Sequence, residues 1–321
     1  MTIEAIAAPR TRTPRATSRI RLLARRVKRH RVVYLLLLPG LIYFALFRYW
    51  PLYLAQIAFK DFQPILGVEA SPWNGFANFT LFFKSYYFTQ LFTNTLIISM
   101  GKLIFGIPPA IILAIALNEA RHFPRIARLT QTTAYLPHFL SWVVVLGVLI
   151  GLFSPSEGLV NGVISKVGGN PIDFLADPNW FRQVVISSDV WKETGWGTII
   201  YLAALLSIDP VLYEAASIDG ASRIKRIWYI SLPNIKDVIV LVTLLRLGSI
   251  LDAGFTQIFA IYSLPVYNVG DIIDTWVYRE GILNFQFGLA TAVGLFKGVI
   301  GLFLIFTANR VAKRFAGTSL Y

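Results

Sequence analysis

The chain has 321 residues, of which 55% are hydrophobic, 14% aromatic and only 15% charged, against about 25% charged in an ordinary soluble domain. It carries a formal net charge of +13, three histidines and no cysteine, which excludes disulfides and thiolate chemistry and leaves little for a metal centre or a general base. The apolar residues gather in blocks of about 20 or more, the length a helix needs to cross about 30 Å of hydrocarbon. An all-α polytopic membrane protein is therefore expected, and enzymatic chemistry in this chain is not.

Residues 1–31 hold ten Lys or Arg and one acid, Glu4. No short apolar core with a small-residue cleavage site follows closely, so this basic arm is not read as a cleavable signal. From Ile20 to Lys28 apolar and basic residues alternate, which suits a short helix on an anionic lipid surface. Residues 1–16 read equally well as a disordered tail. The excess of positive charge is thus assigned to membrane lipid rather than nucleic acid.

The transmembrane domain is expected over 32–321, with six spans at about 32–58, 91–118, 129–153, 184–207, 238–262 and 287–309. Pro39, Gly40 and Pro51 predict a kink or break of the first span near Pro51. The Gly-, Pro- and aromatic-rich stretch KDFQPILGVEASPWNGFANF that follows reads as an interfacial loop. Twenty Lys or Arg flank the spans on one side and five on the other, namely Lys60, Lys84, Lys166, Arg182 and Arg279. The positive-inside rule then puts both termini and the loops after spans two and four in the cytoplasm.

The loop after span four, 209–235, contains YEAASIDGASRIKRIWYISLP, far more polar than its flanks. Glu214, Ala215 and Ala216 favour a helix, with Glu214 near its positive end if Asp209 or Pro210 begins it. Gly220 permits a sharp turn after Asp219, and a second short helix from Arg223 is expected to stop at Pro233. Glu214, Ala215, Ala216, Gly220, Ile230, Leu232 and Pro233 occupy every fixed position of the EAA loop of ABC importer permeases. At one residue in twenty, seven fixed positions arise by chance about once in a billion starts.

On these residues the chain resembles the permease subunits of carbohydrate ABC importers. LLLLPGLIYF, SPWNGFANF, AYLPHFLSWVVV, DVWKETGWGTIIYLAAL, VYNVGDIIDTWVYREG and ATAVGLFKGVIG are similar to segments of the first permease of alginate- and aldouronate-type systems. The resemblance implies a bacterial cytoplasmic-membrane protein whose 209–235 loop is a coupling helix seated in a separate ATPase. It implies a second, different permease subunit, two ATPase copies that bind ATP and Mg, and an extracytoplasmic solute-binding protein. It also implies an oligosaccharide cargo, of acidic type. No G-x-x-x-x-G-K-[ST] phosphate loop occurs in the sequence, so the chain itself is expected to hold no cofactor.

Lys102, Asp189, Lys192, Glu193, Arg246, Asp252 and Lys297 are the ionisable residues within the expected spans. A mid-membrane charge costs at least a few kcal/mol, so such groups face a cavity or a partner. Trp191, Lys192, Glu193 and Trp196 form the leading candidate cluster for a sugar path, with Arg246 and Asp252 near the midplane. The competing reading is that these charges neutralise one another and the tryptophans pack between helices. His138, beside Pro137, reads as a packed histidine. The alternative functional class is a secondary transporter driven by an ion gradient, in which Asp252 would be a proton site.

Overall fold

The computed structural model describes residues 29–316; the basic segment 1–28, with its expected surface helix, lies outside the described residues. The chain divides into two compact units, Met1–Gln56 and Ile57–Tyr321.

The first unit is a helix. α1, Arg31–Phe44, is apolar on all sides and none of its residues is buried, the composition of a helix solvated by lipid or by another protein. A π turn, Ala45–Tyr49, leads into Trp50–Leu54. Pro51 has no N–H for the regular ladder, and just before it the Trp50 N–H reaches back five residues to the Ala45 carbonyl. The disturbance expected at Pro51 is therefore a π bulge ahead of the proline, and the helix continues to Phe59.

The second unit is built on two long helices, α2, Phe88–Glu119, and α5, Pro178–Leu206. Asn94 meets Arg182, Lys102 meets Asp189 and Ala110 meets Thr198. Because the paired numbers rise together, the two helices run parallel. Asp177 caps the start of α5 through the Asn179 N–H at 2.8 Å, with Pro178 at its first position.

The straight span expected at 129–153 is instead two helices, α3 (Pro124–Tyr135) and α4 (Trp142–Phe153), bent by 108°. Leu136–Phe139 is a 3-10 turn containing Pro137, Leu140 is extended, and Ser141 restarts the helix by accepting from the Val144 N–H. α3 crosses α5 so closely that a Cβ on Gly195 would lie 2.0 Å from the Ala134 carbonyl oxygen. Backbone cannot yield as a side chain does, so Gly195→Ala is expected to cost roughly 1–3 kcal/mol. A lowered melting temperature in detergent checks this; an unchanged one contradicts the close crossing.

After α5 come α6 (Pro210–Ile218) and α7 (Arg223–Arg226). Pro233 does not stop the second helix. A π turn, Ile227–Ser231, carries α7 into α8, Leu232–Gly248, the same accommodation as at Pro51. The span expected at 238–262 is likewise divided. α8 ends at Gly248, residues 249–254 form turns with Gly254 at φ +91°, and a short helix, α9 (Phe255–Ile261), follows. Gly248 is pressed against Ile305 of the last helix, which closes this region after a further short helix, α10 (Ile273–Tyr278): α11 runs from Phe287 to Ala316.

Three described helices are long and apolar enough to cross a membrane, or five if each bent pair, α3 with α4 and α5 with α6, is one crossing. The expected six differ because α8, at 17 residues, is broken where the fifth was placed. Two apolar clusters flank the middle of α2 and α5. One joins Ile98, Val145, Phe181, Val185, Ile258 and Ile272; the other joins Ala110, Ala114, Tyr201, Leu205 and Ile235. Between them lies a polar layer.

Candidate functional site

That layer sits halfway along both helices. Lys102 is the fifteenth of the 32 residues of α2, and Lys192 the fifteenth of the 29 of α5. Lys102 Nζ donates to the Ala253 carbonyl at 2.8 Å and to the Gln257 side chain, and pairs with Asp189 at 3.1 Å. Gln257, fully buried, donates to the Val185 carbonyl at 2.7 Å and to Ser188 at 3.0 Å. One ammonium and one amide thus pin the broken segment 249–257 to α2 and α5. Lys102 also packs against Gly254, where a Cβ would meet Nζ at 2.7 Å, so the left-handed turn and the close approach both call for glycine.

A cavity of about 280 Å³ opens beside this pin, lined by Ser99, Lys102, Asp189, Glu193, Arg246 and Asp252, among others. Arg246 reaches it from α8. Its guanidinium lies where Gly106 and Gly197 leave room, 3.1 Å and 3.5 Å from the positions their Cβ atoms would take.

The four residues Trp191, Lys192, Glu193 and Trp196 do not form one cluster. Glu193 lines the cavity and is paired with Lys192 at 3.3 Å and His138 at 2.9 Å. Lys192 is buried and donates to the His138 carbonyl at 2.6 Å, a group freed where α3 breaks. Trp196 stacks on the His138 ring at 4.5 Å. Trp191 lines a different groove, with Thr130, Ala134 and Pro137. Successive helix positions differ by about 100°, so adjacent letters point apart.

A second cavity, of about 580 Å³, is lined by Asp252, Phe255, Asp274, Tyr278, Phe287 and Lys297, among others. Asp252 lines both cavities. Lys297 binds both oxygens of Asp274 at 2.7 Å. Burial holds the Asp274 carboxyl above its usual range, against the pull of that ammonium.

Sequence reasoning missed a further network at the start of α2. Arg182 donates to Asn94 at 2.6 Å, Asn94 to the Asp271 carbonyl at 2.9 Å, and Arg279 pairs with Asp271 at 2.6 Å. Burial would lower the Arg279 guanidinium, but the Asp271 carboxylate outweighs it and holds the group above its ordinary value. The polar segment DAG at Asp252–Gly254 was the available sign that the fifth span is interrupted.

The second candidate region is 209–235. Asp209 caps α6 through the Val211 N–H at 3.0 Å, with Pro210 at its first position. Glu214 and Ala215 follow on its exposed side, and Ala216 is half-buried. At its end the Gly220 N–H bonds the Ser217 carbonyl at 3.1 Å and the Ala221 N–H the Ala216 carbonyl at 2.8 Å. This is a Schellman turn, with Gly220 at φ +74°. Asp219, Gly220 and Arg223 are exposed at the turn; Ile230 and Leu232 are half-buried beyond it and Pro233 is exposed. Ser222 caps α7, and the Tyr213 hydroxyl meets Ser231 at 3.0 Å, tying α6 back onto the π turn.

Residues 106–317 match the family described as binding-protein-dependent transport system inner membrane component. The chain is 44% identical over 295 residues to protein LplB of Bacillus subtilis, covering 92% of each chain. It is 43% identical over 289 residues to the polygalacturonan/rhamnogalacturonan transport system permease protein YteP of the same organism, covering 90% of each. Among solved structures, it is similar to a chain of a bacterial alginate ABC transporter in complex with alginate pentasaccharide-bound periplasmic protein. There the TM-score is 0.84 at 39% identity, covering 92% of this chain and 99% of that one. The chain therefore belongs to the family of binding-protein-dependent transport system inner membrane components, as a permease subunit of an ATP-driven importer rather than an enzyme or an ion-driven carrier.

Proposed function

We propose that this permease forms, with a second and different permease subunit, the path of an acidic oligosaccharide across a bacterial cytoplasmic membrane. Two ATPase copies bind ATP and Mg on the cytoplasmic side, where both termini and the 209–235 loop lie. A solute-binding protein delivers the sugar from outside. Support for the cargo comes from the relatives named for polygalacturonan/rhamnogalacturonan transport and for alginate. In this reading Glu214, Ala215, Ala216, Asp219, Gly220, Arg223, Ile230, Leu232 and Pro233 form the coupling element. Glu193, Arg246 and Asp252 face the sugar, while Lys192, Trp191 and Trp196 shape the wall around them.

The observation that carries the coupling role is mechanical. From Arg223 to Gly248 the chain is helical without interruption, and 26 residues at 1.5 Å span about 39 Å. One end is the exposed loop; the other carries Arg246 to the cavity and ends at the pinned break. A displacement imposed on the loop by ATPase closure is thereby passed to the cavity wall, as a lever biases a two-state packing. Closed ATPases favour the outward-open path and separated ones the inward-facing path.

The test is reconstitution of the full complex in proteoliposomes. ATP-dependent accumulation of an oligouronate that requires the binding protein is expected; accumulation that follows an ion gradient and ignores ATP would overturn the proposal.

A further inference from the structure

The mid-membrane cavity contains charges in excess of those it neutralises. Asp189 is matched by Lys102, and Glu193 by Lys192 and His138. Two groups of the lining are left over. Neither the Arg246 guanidinium nor the Asp252 carboxylate has a hydrogen bond or ion pair among the described residues, and they do not pair with each other. Ser99, also in the lining and 6% exposed, has a buried hydroxyl without a hydrogen-bond partner.

Unmatched charges at this depth are costly unless something completes them. A cavity of about 280 Å³ lies near the lower end of ligand clefts, roughly 300 Å³, with room for one sugar ring rather than a chain. The group that completes a guanidinium is a carboxylate, taken by two parallel N–H donors. The group that completes a lone carboxylate without adding charge is a hydroxyl. A uronate ring presents both, with its carboxylate at one edge and hydroxyls at the other. A neutral hexose satisfies Asp252 and leaves Arg246 bare; a phosphate or simple carboxylate satisfies Arg246 and leaves Asp252 bare.

We propose that this cavity is a single-ring uronate subsite, in which Arg246 receives the substrate carboxylate and Asp252 accepts hydrogen bonds from ring hydroxyls. Gly106 and Gly197 are the specificity-setting positions behind it, because any larger residue there moves the guanidinium. The assignment rests on the importer reading above and adds the chemical group that is read and the residue that reads it.

The experiment uses the complete complex in proteoliposomes with Arg246→Met and Arg246→Lys, probed with trigalacturonate and a trimeric alginate fragment loaded on the binding protein. Sugar uptake and ATP hydrolysis are measured together. Loss of a charged hydrogen bond slows uptake about tenfold or more in R246M, while R246K retains several times more than R246M. Hydrolysis stimulated by the loaded binding protein stays within about twofold of wild type in both. Uptake by R246M near the wild-type rate, or R246K and R246M equally impaired, overturns the carboxylate role and leaves the importer reading intact. Hydrolysis lost in step with uptake also overturns it, by placing Arg246 in coupling. A wild-type complex that accumulates neither probe with ATP overturns the importer reading itself.

Discussion

Gly220→Val and Glu214→Ala each lower ATP-driven uptake by tenfold or more while the amount of chain in the membrane stays within about twofold of wild type. The two act differently. Gly220 holds φ +74° in open space, with nothing within 4 Å of an added Cβ, so valine fits sterically with its neighbours but not with its own backbone. A β-branched residue there costs roughly 1–2 kcal/mol and favours another turn, which re-aims α6 against α7. Glu214 is exposed on α6 and contributes little to folding; its loss is felt by the partner that α6 docks against. Uptake assays paired with quantitative immunoblots of membranes check both, and normal uptake by the two variants would count against the coupling role.

Lys102→Met gives the largest loss of stability expected from a single change. Lys102 and Asp189 side chains are 12% and 19% exposed, so removing the ammonium leaves a carboxylate buried without its partner, at about 3–5 kcal/mol. The Ala253 carbonyl and Gln257 lose their donor as well, and the break after α8 is freed. Thermal melting in detergent should fall by several degrees. The double variant Lys102→Met, Asp189→Asn should recover part of the loss, since the stranded charge is then gone. A single variant that melts like wild type would show that the pin holds nothing.

The features legible from sequence were those set by local chemistry. Asp209, Pro210 and Gly220 read correctly as the start of a helix and its turn because caps and positive φ are properties of a few adjacent residues. Apolar blocks located α2, α5 and α11 because hydrocarbon demands length. Pro233 misled because a proline's missing donor can be absorbed by a π turn as well as by a stop, and the choice depends on how the following helix packs, here with Ile235 buried against α2 and α5.

The broken fifth span and the 108° bend before α4 were hidden for a related reason. Leu140 and Ser141 are ordinary residues whose extended backbone is held by partners far away in sequence, among them Lys192 on the His138 carbonyl. The candidate site was legible as a set of charged residues but not as an arrangement. Nothing in the order Trp191-Lys192-Glu193 indicates that the three side chains serve three different places, nor that Arg246 alone among the mid-membrane cations is left without an acid.

The most direct test of the central claim uses a property of the chain itself: it contains no cysteine, so one introduced at exposed Asp219 is a unique thiol. Asp219→Cys should react with a membrane-impermeant maleimide only from the cytoplasmic face, and should be protected when the ATPase subunits are bound. Labelling from the outside, or labelling unaffected by the ATPase, would contradict a coupling loop at 209–235 and the ATP-driven mechanism built on it.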